Sequence, residues 1–416
     1  MPTHDAPSHR STRRATALLG ALCALGVSVA ASAHQRLRFI TYDAPGAGTV
    51  YMQGTAFVPG TGCFVYSDCA RILNNWGAVT GDYLDANNVY RGFVRSPDGK
   101  ITEFDAPGAD LTRNNLNGTF PNSINDAGVI TGFYLDVNGV SHGFLRSPEG
   151  AFTTFDVTFN GVPGSSTTPI SLNLEGAVVG YASDQNGLFH GFLRRPNGRF
   201  VTWIGPGGCT ASNAAGCYGT GAFGINFFGT ISGAYEDNSG NFVDHGLIRS
   251  PQGKFTVYNA PGAGTGPYQG TGCPGCSVPV NQFGATAGYV IDAQNVVHGY
   301  LRHPWGEITT FDAPAGAGSA GFGCFADCSL GLNDWGAITG SYADASFTSH
   351  GFLRSRDGHI TTFDAPGADT TAGDFNGTFP ISINDWGAVA GFYIDKNNVM
   401  HGFLLLPSED EGERGD

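Results

Sequence analysis

The chain has 416 residues, among them 64 Gly, 22 Pro and 30 Phe, and only 13% are charged. Low charge with abundant aromatic rings excludes a disordered chain, and so many glycines exclude a mainly helical one, because Gly destabilises helix interiors. A formal net charge of −14 repels phosphate backbones and anionic membranes, so nucleic acid is not an expected partner.

From the N-terminus, residues 1–33 read as an export signal. Arg10, Arg13 and Arg14 precede an apolar stretch, Ala15 to Ala30, that is short for a membrane span, and Ala31-Ser32-Ala33 supplies a small-residue cleavage site. Removing this piece takes away three Arg and one Asp, a net +2, which leaves −14 − 2 = −16. The mature chain, from His34, is expected to be secreted, periplasmic or extracellular, with no membrane insertion.

Residues 34–407 read as one repetitive domain. The motif [ILV]-Asn-x-x-Gly-x-x-x-Gly-x-x-x-Asp occurs seven times, with Asn at 74, 125, 173, 226, 281, 333 and 384. In the second copy it comprises Asn125, Gly128, Gly132 and Asp136, followed by His142-Gly143 and Arg146. Each copy then runs through a Pro-x-Gly type turn to an aromatic run such as Phe152 to Asp156. Four short strands per copy follow: in the second, a (Asn122–Asn125), b (Val129–Leu135), c (His142–Arg146) and d (Phe152–Asp156). Tight turns join them, the a–b turn having Gly at the position that requires positive φ.

Seven such sheets at a period near 50 residues predict an all-β fold, a seven-bladed β-propeller with four-stranded antiparallel blades. A parallel β-helix is the alternative, although its coils need a shorter period. The folded sequence starts with a d-type strand (Leu37 to Asp43) and stops with a c-type strand (His401 to Leu405). The N-terminal strand is therefore expected to join the last blade and close the ring. Residues 408–416 read as an acidic, disordered tail.

Eight cysteines fall as local pairs, Cys63/Cys69, Cys209/Cys217, Cys273/Cys276 and Cys324/Cys328. In an oxidising compartment they are expected to be disulfides stapling long loops. A redox or zinc role for Cys273 and Cys276 would need a helix start or further ligands.

The repeat resembles the HAF family of probable extracellular repeats, whose units look like Ile-Asn-x-x-Gly-x-x-x-Gly followed by His-Ala-Phe. The resemblance covers Leu37 to Pro407, with Gly143 and Gly351 standing where the family has Ala. It implies a repeat fold and an extracellular location, and no chemistry.

A residue present in every copy serves the scaffold, so His142 and its counterparts are expected to bond to a recurrent Asp rather than catalyse. Asp136-Val137-Asn138-Gly139 has oxygen donors at alternate positions, as calcium loops do, but lacks their later acids; turn chemistry is the leading explanation, so no cofactor is expected, with calcium as the alternative. Variable d-to-a loops on a rigid frame are the expected binding face for a glycan or an extracellular protein. Two of them share Asn117-Gly118-Thr119-Phe120-Pro121 and Asn376-Gly377-Thr378-Phe379-Pro380. An exposed Phe beside an Asn amide suits sugar binding; the alternative is that Phe anchors the loop. Arg71, at the start of an inner strand, is a candidate for the channel, and His303 with Trp305 for a surface patch. No catalytic residue or metal ligand is assigned. A monomeric, non-enzymatic binding module is the leading expectation; a structural matrix component, or a polysaccharide lyase or glycoside hydrolase acting at the channel mouth, are the others.

Overall fold

A computed structural model describes residues 38–55, 71–210, 217–272, 278–312, 330–371 and 376–407; among them every regular element is a β-strand. The export signal, the acidic tail and Cys63, Cys69, Cys273, Cys276, Cys324 and Cys328 lie outside these residues.

The second unit shows the pattern. Strands Thr119–Ile124, Ile130–Leu135, Ser141–Arg146 and Phe152–Phe155 pair antiparallel in sequence order. Strand a begins three residues earlier than the sequence pattern suggests. Its register shifts between Pro121 and Ser123, and the shift recurs at Pro169/Ser171, Ala222/Gly224 and Pro380/Ser382. An extra residue in the strand breaks the alternation by which a strand is read. The bulged Asn122 donates to the Pro169 carbonyl of the next unit at 2.7 Å.

Each unit closes its a–b turn with the motif's first Gly, at φ between 79° and 87° in all seven copies. In strand c the Gly after His has no room for a side chain. A Cβ on Gly143 would lie 2.5 Å from the Phe155 ring, and one on Gly351 would lie 2.6 Å from Phe363. The d-strand aromatic therefore lies flat across the c-strand backbone.

That aromatic faces the following unit, so the core lies between sheets. Phe104 packs on Ile124, Ile130 and Phe144; Trp203 packs on Ala222, Ile231 and Leu247; Phe363 packs on Val389, Phe403 and Leu405. Burying one such ring contributes about 2–3 kcal/mol. Above it sits the strand-c Arg of the following unit: Arg146 over Phe104 at 4.6 Å, Arg194 over Phe155 and Arg249 over Trp203 at 4.9 Å. Burial lowers the pKa of each of these three guanidinium groups. In the last unit Leu405 replaces Arg and packs directly on Phe363.

The N-terminal strand Arg38–Tyr42 pairs antiparallel with Met400–Leu406, from Arg38 opposite Leu406 to Tyr42 opposite Gly402. Tyr42 in turn receives Arg95 of the first unit, 5.2 Å from its ring centroid. One strand thus belongs to the sheet of unit 7 and packs on unit 1.

Candidate binding site

The seven motif asparagines are buried and linked head to tail. Asn74 Nδ2 donates to the Asn125 carbonyl at 3.1 Å, Asn125 to Asn173, Asn173 to Asn226, Asn226 to Asn281, Asn281 to Asn333 and Asn333 to Asn384. Asn384 donates to the Asn74 carbonyl at 3.2 Å, across 310 residues. Each Asn Oδ1 also accepts from N–H groups of its own a–b turn, as Asn125 does from Ala127 and Val129. All these polar groups are spent on structure.

The residue after each Asn is free to vary, and there the units diverge. These residues line an open cavity of about 290 Å³ to which all seven units contribute. One arc is polar: Asn75, Asp126, Gln282, Asp334 and Asp385. Backbone N–H groups of successive turns donate into it, Gln282 to Asp334 at 2.8 Å, Asp334 to Asp385 at 2.9 Å and Asp385 to Asn75 at 3.0 Å. Asn75 Nδ2 joins Asp126 and Asp385. The other arc, Leu174 and Phe227, has no side-chain acceptor, although the Phe227 N–H still donates to Gln282 Oε1 at 2.8 Å. Arg71, whose backbone bridges Ser123 of unit 2, lies 3.5 Å from Asp126, and Asp334 and Asp385 line the same cavity. Burial, with Asp385 and Asp126 adding to it, holds the Asp334 carboxyl above the usual range despite the Gln282 N–H and the Arg71 charge.

Around this cavity the next turn position carries Trp76, Phe228, Phe283, Trp335 and Trp386, each between 61% and 71% exposed. They belong to units 4, 5, 6, 7 and 1, which are consecutive in the asparagine cycle, whereas units 2 and 3 have Ala127 and Glu175 there. Trp335 is held by its Nε1, which donates to the Asp385 carbonyl at 2.9 Å. Large apolar side chains left in water on adjacent turns mark a contact surface. Their rings can stack on the C–H faces of sugars while the amides and carboxylates beside them bond hydroxyl groups. The c–d turn of unit 5 adds His303 stacked on Trp305 at 4.6 Å.

Other sequence-predicted residues sit elsewhere. Phe120 and Phe379, candidates for exposed stacking platforms, are instead anchors, the alternative reading: both are 5% exposed, stacked on Phe133 at 4.8 Å and Phe392 at 4.7 Å. Their segments are seams between units. Gly118 and Gly377 pair with the preceding strand c at Tyr90 and Ser349, where a Cβ would lie about 2 Å from a carbonyl oxygen (1.8 and 1.9 Å). Thr119 and Thr378 accept the N–H groups of Ala106 and Ala365. Asn117 and Asn376 donate to Asp110 and Asp369, two loop carboxylates held below their usual pKa by bonds first of all from Thr112 and Thr371.

The recurrent His is a strut. His142 Nδ1 lies 2.9 Å from Asp156 and its Nε2 3.6 Å from Asp136; His298, His350 and His401 repeat the arrangement. Arg91 replaces His in the first unit and reaches both Asp85 and Asp105. Asp136, weighed for calcium, accepts from the N–H of Asn138 and Val140 through Oδ1 and from Asn138 Nδ2 through Oδ2, which is turn chemistry. Cys209 and Cys217 form a disulfide. Sequence reasoning missed the aromatic crown because it treated the a–b turns as tight connections. The signal lay in the motif's two unspecified positions, where five of seven copies place Trp or Phe before Gly.

No protein-family profile and no curated protein matches the chain. Among solved structures it is similar to virginiamycin B lyase from Staphylococcus aureus (13% identity, 89% of this chain and 100% of that one, TM-score 0.47). It is also similar to the BP39L lectin from Burkholderia pseudomallei (11%, 82% and 97%, 0.46) and to a variant of the Aleuria aurantia lectin in complex with Fucalpha1-6GlcNAc (10%, 85% and 100%, 0.38). The fold described above stands on this chain's own strand pairing.

Proposed function

We propose that the chain is an exported, seven-bladed β-propeller of the HAF-repeat type that binds a glycan on the face formed by its a–b turns. The closed ring is supported by the asparagine cycle, which returns from Asn384 to Asn74, and by Arg38–Tyr42 serving as the fourth strand of unit 7. Binding is supported by one observation above all: five exposed aromatic rings on consecutive units beside a cavity of carboxylates and amides. This reading moves the site to the opposite face from the long d-to-a loops. The described parts of those loops turn their polar groups inward, as Asp110 does to Thr112, Asn115 and Asn117.

A second reading is favoured by Asp334. A carboxyl whose pKa burial raises, beside other carboxyl groups in an open cavity, is shifted in the direction that a general acid for glycoside cleavage requires. Incubation with a panel of soluble polysaccharides, followed by chromatography with light scattering, separates the two. Intact polymer co-eluting with protein supports the binding module, and shortened polymer supports the hydrolase. Free protein beside intact polymer across the panel contradicts both.

A further inference from the structure

The turn-to-turn bonds around the cavity are made between five pairs of neighbouring units and stay open between two. The backbone N–H after each motif Asn donates to the side chain at the same place in the next unit: Asn75 to Asp126 at 2.9 Å, Phe227 to Gln282 at 2.8 Å, and on through Asp334 and Asp385 back to Asn75. For units 2 and 3 the next residue is Leu174 or Phe227, and neither side chain accepts a hydrogen bond. Among the described residues, the N–H groups of Asp126 and Leu174 therefore have no protein acceptor, on two adjacent turns that line the cavity.

The same two units interrupt the aromatic crown, with Ala127 and Glu175 where the other five place Trp or Phe, so neither donor's own turn carries a ring. Leu174 and Phe227 are themselves 51% and 43% exposed, and the Phe227 and Phe228 rings meet edge to face at 5.4 Å. Two unclaimed donors thus stand beside an apolar surface. Such a place suits a ligand group that accepts hydrogen bonds at one end and is apolar at the other.

We propose that the turns carrying Asp126, Leu174 and Phe227 form a subsite for an N-acetylated amino sugar, an inference that rests on the glycan-binding reading and gives its substrate class. The acetamido carbonyl accepts one N–H, an adjoining ring hydroxyl accepts the other, and the acetyl methyl packs on Leu174 and Phe227. A carboxylate or sulfate would accept as well, but Asp126, Asp334 and Asp385 line the same cavity against the single guanidinium of Arg71 and repel a further anion. A plain hydroxyl in place of the acetamido group would leave the apolar surface in water. At about 290 Å³ the cavity is at the small end of ligand pockets, a size for one substituted ring.

The test is calorimetric titration of the full-length protein with chito-, cello- and deacetylated chitosan oligosaccharides of equal length, which differ in bearing acetamido, hydroxyl or ammonium on each ring. The acetylated sugar is expected to bind at least about tenfold more tightly than the cello-oligosaccharide. Leu174→Asn gives the Asp126 N–H an acceptor, as Asp126 does for Asn75, and Phe227→Gln gives one to Leu174, as Gln282 does for Phe227. Each variant should bring the preference to within about twofold, with the thermal midpoint held or raised. No binding of the acetylated sugar, equal affinity for the acetylated and cello-oligosaccharides, tighter binding of chitosan, or a preference unchanged in both variants overturns the subsite. Binding of other glycans without this preference leaves the glycan-binding reading standing, whereas a parent that binds neither these sugars nor the wider polysaccharide panel overturns both.

Discussion

Asn173 illustrates how one side chain supports two units. Its Nδ2 donates to the Asn226 carbonyl at 3.1 Å and its Oδ1 accepts the Ala177 N–H at 3.0 Å, both inside the protein. Alanine would strand a carbonyl and an N–H, each costing about 1–3 kcal/mol when buried. Asn173→Ala is therefore expected to destabilise by about 2–4 kcal/mol in urea unfolding; a change below about 0.5 kcal/mol would show that water replaces both bonds. His401 supports a pH prediction. Its bond to Asp43 and the charges of Asp43 and Asp395 raise its pKa against the effect of burial, and the Asp312 and Asp292 contacts do the same for His298. A raised folded-state pKa gives stability that is complete below the unfolded value of about 6.5 and is lost as pH climbs through the folded value. Asp395 and Asp292 have lowered pKa values, so their contribution exists above about 3.9 and disappears on acidification. Stability should peak near pH 5–6, and between pH 6 and 9 the thermal midpoint of H298N/H401N should fall less than that of the parent. Equal falls would exclude these struts as the cause.

The unit of construction is the seam between one sheet and the next. Arg194 is buried, with its guanidinium 4.9 Å from the Phe155 ring centroid. Unit 7 uses Leu405 at this place, so the seam tolerates a purely apolar occupant. Arg194→Leu is expected to cost less than about 1 kcal/mol and Arg194→Ala about 1–3 kcal/mol, because only the latter loses packing as well as the cation–π contact. Equal costs for the two would mean that charge, not packing, holds the seam. Much of this was legible in the chain: the repeated Gly positions, the d-strand aromatics and the His–Asp pairing all recur at fixed spacing. The first half of strand a was not, because the bulge at Asn122 interrupts its alternation. Nor was the burial of Phe120 and Phe379. A Phe between Thr and Pro reads equally as loop tip or anchor until the pairing of Gly118 with Tyr90 and of Gly377 with Ser349 draws the segment into the interior.

Taken whole, the molecule joins its ends through Arg38–Tyr42. Deleting the chain through Tyr42 leaves the strand Met400–Leu406 as an open edge and takes Tyr42 from under Arg95. Such an edge invites pairing with a second copy. The truncated protein is expected to self-associate or to melt about 10 °C or more below the parent; a monomer of unchanged midpoint would contradict ring closure by this strand. The proposed binding face was the least legible feature, since Trp76, Phe228, Phe283, Trp335 and Trp386 are scattered at intervals set by the repeat. Only the shared turn geometry assembles them around Asp126, Asp334 and Asp385. Stacked rings contribute about 0.5–1.5 kcal/mol each, so three removed together should weaken binding about 10- to 1,000-fold. The most direct test is titration of the parent and W76A/W335A/W386A with the polysaccharide panel, following intrinsic fluorescence in the parent and calorimetric heat in both. Saturable binding by the parent that the triple variant loses, with its thermal midpoint unchanged, is the predicted result. Equal affinity of the two proteins for the same polysaccharide would contradict the placement of the site on this face.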